Sequence, residues 1–206
     1  MTDAGRSRLI YLHGFRSSPA SFKARLLDER MRALGRGADF LCPLLPPSPA
    51  AAVALVSGQL LPQPQDTLVG SSLGGYYAAW LAERHGCRAV LLNPAVDPAT
   101  GLRPYVGAQT MYHSDEAFVF EPRYLGELAA LDAGTLSFPE RYLLVAAKGD
   151  ELLDWREMVA RYGGGQRIVL EGSDHGLSDF ADLADRVLAF AGMLPGGWDD
   201  QAGQPR

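Results

Sequence analysis

The turn Gly70-Ser-Ser-Leu-Gly74 is the feature that most restricts how this chain can fold. It joins a short apolar stretch typical of a buried strand, residues 67–69, to an amphipathic stretch typical of a helix, residues 73–85. In that context a G-x-S-x-G sequence holds its central serine on a sharp strand-to-helix turn, with the hydroxyl exposed. Ser72 fits the spacing, whereas centring the motif on Ser71 would put Val69 in the first glycine position. The turn therefore predicts a serine nucleophile at the carboxyl end of a parallel strand.

Strand and helix patterns alternate along most of the chain. Short apolar runs suited to strands buried on both faces are separated by helical stretches with an apolar stripe. The strand candidates are residues 8–12, 38–42, 67–69, 88–92, 141–146 and 167–170. The first helix is expected to start at Ser18 with Pro19 in the first helical position, and the other helix candidates are residues 48–61, 73–85, 155–162 and 180–191. This alternation predicts an α/β fold with a mostly parallel sheet of about six strands and helices on both faces.

One long segment interrupts this alternation. Residues 94–139 contain no strand candidate and one helix candidate, at 122–131. Connections this long in a compact domain are usually functional, so we interpret the segment as a cap over the carboxyl edge of the sheet, within one domain of residues 1–206. A surface excursion without function is the alternative. Three of its aromatic side chains are candidates for substrate contacts: Tyr112, Phe118 and Tyr124. The tail, residues 195–206, is expected to be frayed.

A serine hydroxyl becomes an effective nucleophile only beside a base that an acid holds in place. In the strand–turn–helix arrangement these partners follow in the chain order serine, acid, histidine. His175 follows the last strand candidate and comes after both Ser72 and a suitable acid. His13 follows the first strand candidate, His85 falls in the last turn of a helix candidate, and His113 lies in the long segment. His175 is therefore the predicted base.

The acid is expected after the strand that precedes the histidine's strand. Asp150 lies there, at the carboxyl end of the fifth strand candidate. Asp154 is better explained as the N-cap of the next helix, and Asp97, after the fourth strand candidate, is the runner-up position. Two further acids are interpreted as a solvated loop charge and a turn residue: Glu151 and Asp174.

Backbone donors for an oxyanion are the third requirement of this chemistry. The first strand candidate ends in His13-Gly-Phe15, where this architecture draws one donor, and the second is the N–H after the nucleophile. The backbone N–H groups of Phe15 and Leu73 are therefore assigned to this role, and His13 is interpreted as a brace for its loop. All these positions follow predicted parallel strands, at the edge where α/β sheets place their sites.

Five segments spread over the chain match one known family. They are Tyr11-Leu-His-Gly-Phe-Arg-Ser-Ser-Pro19, Pro43-Leu-Leu-Pro-Pro47, Gly70-Ser-Ser-Leu-Gly-Gly-Tyr-Tyr77, Asn93-Pro-Ala-Val96 and Gly149-Asp-Glu-Leu-Leu-Asp154. With them the chain resembles the YqiA/YcfP-type bacterial esterases, which are small α/β-hydrolases. The resemblance implies the α/β-hydrolase fold, hydrolysis of acyl esters or acyl-CoA thioesters without a cofactor or metal, and a triad of Ser72, Asp150 and His175. A C–C or peptide-bond hydrolase on the same triad, and a non-catalytic binding protein, are the alternatives.

Composition bears on the partners and the location of the protein. A net charge of −5 disfavours nucleic acid or an anionic membrane surface as the main partner. No apolar run approaches the roughly 20 residues that a membrane-spanning helix needs, and no signal-peptide pattern is present. Cys42 and Cys87 lie in apolar surroundings and are interpreted as reduced core residues rather than a disulfide or a nucleophile. We therefore expect a cytoplasmic protein with a small-molecule substrate, and the sequence does not indicate its oligomeric state.

Overall fold

The structure is a computed structural model that describes residues 5–112 and 114–194. Within them lie the strands β1 (Leu9–Leu12), β2 (Phe40–Leu41), β3 (Thr67–Ser71), β4 (Arg88–Leu92), β5 (Gly107–Thr110), β6 (Ala117–Phe120), β7 (Tyr142–Ala147) and β8 (Gln166–Leu170). Six of these strands form a parallel sheet in the order β2-β1-β3-β4-β7-β8. The predicted α/β fold with a parallel sheet of six strands is confirmed.

Helices connect these strands. They are α1 (Phe22–Ala33), α2 (Pro49–Leu55), α3 (Leu73–His85), α4 (Pro98–Gly101), α5 (Arg123–Ala130), α6 (Trp155–Tyr162) and α7 (Ala184–Phe190). A π-helical turn, Val56–Leu60, extends α2, and short 3₁₀ turns lie at Gly37–Asp39, Arg103–Tyr105, Pro139–Arg141 and Phe180–Asp182. The start of α2 follows the expected rule, because the Ser48 side chain accepts the Ala51 N–H at 3.2 Å. Gly86, with φ 70°, ends α3 in the left-handed region that favours glycine.

The first helix begins three residues later than predicted. Ser18 does not cap α1; its side chain accepts the Ala20 N–H at 3.2 Å, and its carbonyl oxygen accepts the Ser21 N–H at 3.0 Å. These bonds close a separate turn, so the helix starts only at Phe22. Serine hydroxyls stabilise turns and helix starts by the same kind of bond, and the sequence pattern does not separate the two.

Side chains of the central strands alternate between two buried faces. In β1, Leu9 and Tyr11 pack with α1 and α7, whereas Ile10 and Leu12 pack with α2, α3, α5 and α6. All four side chains of β1 are at most 1% exposed. Strands covered by helices on both faces read as continuous apolar runs, which explains why their positions could be predicted from the sequence.

The segment between β4 and β7 contains a strand pair that the sequence did not indicate. Strands β5 and β6 form a separate antiparallel pair, with Gly107 opposite Phe120 and Thr110 opposite Ala117. The prediction of no strand in residues 94–139 is therefore wrong. Strand β5, Gly-Ala-Gln-Thr, is half exposed and has no apolar run, so the pattern that identified the buried strands is missing. The helix predicted at 122–131 is α5.

The order of the strands in the sheet reverses direction at one point. From β1 the chain moves to β2 on one side, then crosses β1 to form β3 on the other side. Ligands of open α/β sheets bind at the carboxyl ends of strands at such a reversal. Here the reversal lies between β1 and β3, whose carboxyl ends lead into Phe15 and Ser72 respectively.

Two sequence expectations fall outside the described residues: His113 and the tail from Pro195 onward. Among the helices of residues 5–112 and 114–194, none combines the length and the apolar character needed to cross a membrane. The cytoplasmic location stays a prediction from the sequence.

Candidate active site

Ser72 lies on the sharp turn between β3 and α3. Its backbone has φ 54° and ψ −119°, a strained conformation for a residue with a side chain. Glycine is required on both sides of this turn because neighbouring backbone atoms leave no room for a side chain. A Cβ atom on Gly70 would lie 2.1 Å from the Gly74 carbonyl oxygen, and one on Gly74 would lie 2.0 Å from the Leu12 carbonyl oxygen. The sequence thus brings α3 so close to β1 and β3 that the serine is held above the sheet edge.

The structure brings together the three side chains predicted to form a triad. His175 Nε2 lies 3.0 Å from Ser72 Oγ, and His175 Nδ1 lies 2.8 Å from Asp150 Oδ2. The carboxylate of Asp150 is fully buried, whereas the His175 side chain is 18% exposed. Each residue follows a different parallel strand, namely β3, β7 and β8. Three segments distant in sequence therefore converge on one hydrogen-bonded line.

The second carboxylate oxygen of Asp150 is also bonded. Oδ1 accepts the backbone N–H groups of Leu152 and Leu153, at 2.9 and 2.8 Å. The buried carboxylate is thereby oriented by charge-assisted hydrogen bonds on one side and the imidazole on the other. The two alternative acids have other roles: Asp154 accepts the Arg156 N–H at the start of α6, and Asp97 accepts the Thr100 N–H at the start of α4.

Two residues that sequence reasoning did not select hold the loop of His175. Buried Asn93 donates from Nδ2 to the carbonyl oxygens of Asp174 and His175, and Glu151 accepts the backbone N–H of His175 at 2.9 Å. Glu151 is an exposed loop residue, as the sequence interpretation expects, and its carboxylate has the additional role of bonding to the His175 backbone. Asn93 had a signal in the sequence, since it follows the fourth strand directly in Asn93-Pro-Ala-Val96, but its bonding partners are distant in sequence.

His13 is buried and lies between two loops. Its Nε2 accepts the backbone N–H of Leu45 at 3.0 Å, so its Nδ1 carries the proton and donates to the Gly14 carbonyl oxygen at 3.0 Å. The imidazole is therefore neutral and ties the loop after β1 to the segment before α2. His85 lies at the far end of α3 from Ser72 and bonds to Ser57 Oγ at 3.0 Å.

Comparison with known families identifies the chain. The model of the Uncharacterised protein family (UPF0227) matches residues 8–192. The chain belongs to UPF0227. This is the YqiA/YcfP family, so the family resemblance noted from the sequence is confirmed.

This chain shares its fold with solved structures of α/β-hydrolases. A protein from Agrobacterium vitis S4 described as a hydrolase is 18% identical, with a TM-score of 0.69 over 90% of this chain and 88% of that one. The alpha/beta hydrolase domain-containing protein 10 from mouse is 16% identical, with a TM-score of 0.63 over 87% and 88%. The Pyrococcus furiosus esterase Pf2001 is 17% identical, with a TM-score of 0.58 over 89% and 79%. At these identities the likeness shows the shared fold.

A cavity of about 630 Å³ opens beside Ser72 and His175 in this UPF0227 chain. Of the three aromatic residues predicted to contact substrate, Tyr112 lines this cavity. Phe118 lines a smaller adjoining space of about 40 Å³. Tyr124 lines neither: it is buried, with its hydroxyl donating to Glu121 at 3.0 Å. The large cavity therefore draws its walls mainly from residues that the sequence did not single out.

Phe15 and Leu73 both line the large cavity with Ser72. Leu73 is the first residue of α3, and the first N–H groups of a helix have no partner inside that helix. Neither the Phe15 N–H nor the Leu73 N–H has a protein acceptor among residues 5–112 and 114–194. The Phe15 ring packs edge-on against Tyr105, Phe118 and Phe120, which fixes the position of this loop.

The two cysteines of this UPF0227 protein have the properties of unreactive core residues. Cys42 and Cys87 are free thiols, and burial raises the pKa of each to about 12. Their thiolate fraction at neutral pH is therefore very small. In the described part of the chain, no three His, Cys, Asp or Glu residues are grouped so that they could hold a metal ion.

Proposed function

We propose that this protein is a serine hydrolase that cleaves carboxylic esters through Ser72, His175 and Asp150. One observation carries the proposal: a hydrogen-bonded line runs from a buried carboxylate through an imidazole to a serine on a strained turn, with contacts of 2.8 and 3.0 Å. A base within this distance can take the hydroxyl proton as the oxygen attacks.

The geometry supports a two-step acyl transfer. Ser72 Oγ bonds to the ester carbonyl carbon while its proton moves to His175 Nε2, and Asp150 stabilises the imidazolium. The carbonyl oxygen, now negatively charged, accepts hydrogen bonds from the backbone N–H groups of Phe15 and Leu73. His175 then gives the proton to the leaving oxygen as the carbon–oxygen bond breaks. A water then attacks the acyl carbon as its proton moves to His175. The bond to Ser72 Oγ breaks, Oγ takes the proton back from His175, and the acid is released.

The choice of the ester bond rests on the cavity and on the fold. A cavity of about 630 Å³ is large enough for a small organic molecule, and Pf2001, which shares the fold, is named an esterase. We further propose that the 94–139 segment forms the acyl-binding wall, because it supplies Val96, Leu102 and Tyr105 to the cavity. The same steps accommodate a thioester, with the thiol as the leaving group.

Three forms of the protein test this proposal: wild type, Ser72→Ala and the matched Ser71→Ala. Each is treated with a fluorophosphonate probe and assayed on nitrophenyl oxyesters and acyl thioesters of equal acyl length. We expect the probe to label wild type and Ser71→Ala, and Ser72→Ala to lose a factor on the order of 10⁶ in kcat. A labelled and active Ser72→Ala protein contradicts the assignment. A wild type that neither reacts with the probe nor turns over any ester supports a non-catalytic binding protein.

A further inference from the structure

The cavity beside Ser72 crosses the carboxyl edge of the sheet, so its two ends belong to opposite faces. At one end it is lined by Val96, Leu102 and Leu153, which pack on the core under α2, α3, α5 and α6. At the other end it is lined by Tyr11, which belongs to the core under α1 and α7, and by Lys23 of α1. One end therefore has aliphatic walls together with acidic side chains, and the other carries a hydroxyl and an ammonium group.

Lys23 is unusual in its bonding. Its Nζ donates to the carbonyl oxygen of Gly176, the residue after His175. In the described ranges no carboxylate lies within 4 Å of this ammonium group. Burial lowers the pKa of Lys23 to about 8, and Asp174, acting from a longer distance, opposes that shift. An ammonium group has three N–H donors, so Nζ has donors to offer a ligand in the cavity.

Hydroxyl groups line the same cavity as this ammonium group. Tyr11, Ser21 and Ser71 line it, and Ser21 Oγ is buried without a hydrogen-bond partner among the described residues. Ser21 precedes α1, but its hydroxyl does not cap the helix. Ser17 also lines the cavity. Hydroxyls can turn a hydrogen toward an anionic oxygen, so they complement the lysine.

The charges on the cavity wall are unevenly placed. Of the described residues that line it, Lys23 is the only lysine or arginine. The acids Asp97, Asp154 and Glu157 line it from the α4 and α6 side. An anionic group entering the cavity is attracted to the Lys23 end and repelled from the opposite end.

We propose that the substrate carries a carboxylate or phosphate on its leaving part, bound by Lys23 Nζ and the hydroxyls of the cavity wall, while its acyl chain occupies the end with aliphatic walls. This inference rests on the proposed esterase function. We place the anionic group on the leaving part because His175 must protonate the leaving oxygen, so the leaving part lies beside His175. Lys23 is bonded to the carbonyl oxygen of Gly176, the next residue, and therefore lies on the same side. Lys23 is thus a specificity-determining residue for an anionic alcohol or thiol.

Paired chromogenic esters test the proposal. The first pair is 4-nitrophenyl butyrate and 3-carboxy-4-nitrophenyl butyrate, which differ by a carboxylate on the leaving part. The second pair, 4-nitrophenyl pentanoate and mono-4-nitrophenyl glutarate, places the carboxylate on the acyl part instead. The variants are Lys23→Met, which keeps the length of the side chain, and the control Arg25→Met, which removes one positive charge from an exposed position on the same helix.

We expect Lys23→Met to lower kcat/KM for the carboxylated leaving group by about 10- to 100-fold, the range for a hydrogen bond to a charged group. The loss on the neutral esters, which reports only the lost bond to Gly176, should be much smaller, so the ratio of carboxylated to neutral kcat/KM falls. Arg25→Met should behave as wild type. An equal loss on neutral and carboxylated esters would show that Lys23 only supports the Gly176 turn, and would overturn the inference. A loss confined to the glutarate ester would overturn the placement on the leaving part. If the wild type hydrolyses none of these esters, the proposed esterase function itself is contradicted. That result is distinguishable from the two outcomes above, in which the wild type is active.

Discussion

Asn93 holds the backbone of His175: its side-chain Nδ2 lies 3.2 Å from the His175 carbonyl oxygen and 2.9 Å from that of Asp174. On its other side, Oδ1 accepts the Ala147 N–H at 2.8 Å. One buried amide therefore ties the end of β4 to the end of β7 and to the loop that follows β8. Asn93 has φ 41°, a region that asparagine enters more readily than most residues.

Asn93→Asp should therefore impair both stability and turnover. The change keeps the acceptor for Ala147 but turns a carboxylate oxygen toward two carbonyl oxygens, which repel it. We expect a loss of about 1–3 kcal/mol in the free energy of unfolding. We also expect a lower kcat with little change in KM, because the substitution displaces the catalytic His175 and leaves the substrate-binding residues in place. Urea unfolding and steady-state kinetics measure the two effects. Gln59→Glu makes the same chemical change at an exposed position and should have neither effect; equal behaviour of the two variants would exclude a special role for Asn93.

The same substitution, Asp to Asn, at positions 150 and 154 tests which of the two acids belongs to the triad. Asp150→Asn should reduce kcat by about 10⁴, because an amide in this place favours the wrong tautomer of His175 and cannot stabilise its cation. Asp154→Asn should keep nearly full activity and cost at most about 1 kcal/mol of stability, since asparagine also caps helices. Single-turnover rates of wild type and both variants on one activated ester measure the difference. An active Asp150→Asn together with an inactive Asp97→Asn would move the acid to the end of β4.

The elements that could be predicted from the sequence are those whose pattern is local. The strand Arg88–Leu92 was predicted with its observed bounds, because burial on both faces leaves a continuous apolar run. The strand pair β5–β6 was missed because Gly107–Thr110 has no such run; the apolar run Ala117–Phe120 was a signal that went unused. In the site, the Ser72 turn has a local signature, whereas Glu151 contacts His175 only through the fold. Contacts of that kind leave no periodicity or spacing to find.

The glycines offer a test of the turn itself. Gly74→Ala places a Cβ atom 2.0 Å from the Leu12 carbonyl oxygen, where the backbone must move, and should destabilise the protein by more than about 4 kcal/mol. Gly126→Ala in the exposed middle of α5 meets nothing within 4 Å and should stabilise by up to about 1 kcal/mol. Thermal unfolding compares both with wild type. A Gly74→Ala protein with normal stability and activity would contradict the close contact of α3 and β1.

The pH dependence of specificity follows from Lys23. With a pKa of about 8, its ammonium form dominates below that pH and is lost above it. The preference for the carboxylated leaving group over the neutral one should therefore fall as pH rises through about 8. An effect of pH on the catalytic steps that both esters share cancels in the ratio of their kcat/KM values. Hydrogen bonds from Ser178 lower the pKa of Asp174, the acid that acts on Lys23, and the other acids of the cavity wall are Asp97, Asp154 and Glu157. A ratio that is constant from pH 6.5 to 9.5 in wild type would mean that the Lys23 charge does not act on the substrate.

Selectivity for acyl length should depend on the wall of the cavity and not on the aromatic residues behind it. Leu102 lines the cavity, so each CH₂ of an acyl chain that it covers favours binding by up to ~0.8 kcal/mol, or about fourfold in kcat/KM. Leu102→Ala should reduce this gain per CH₂ between butyryl and octanoyl esters and leave hydrolysis of the acetyl ester nearly unchanged. Tyr124→Phe removes a hydroxyl that bonds to Glu121 away from the cavity, so it should alter stability alone. Rates on a series of 4-nitrophenyl esters from acetyl to octanoyl distinguish the two residues. If Tyr124→Phe changed the acyl-length profile and Leu102→Ala did not, the acyl chain would have to lie elsewhere than along Val96, Leu102 and Leu153.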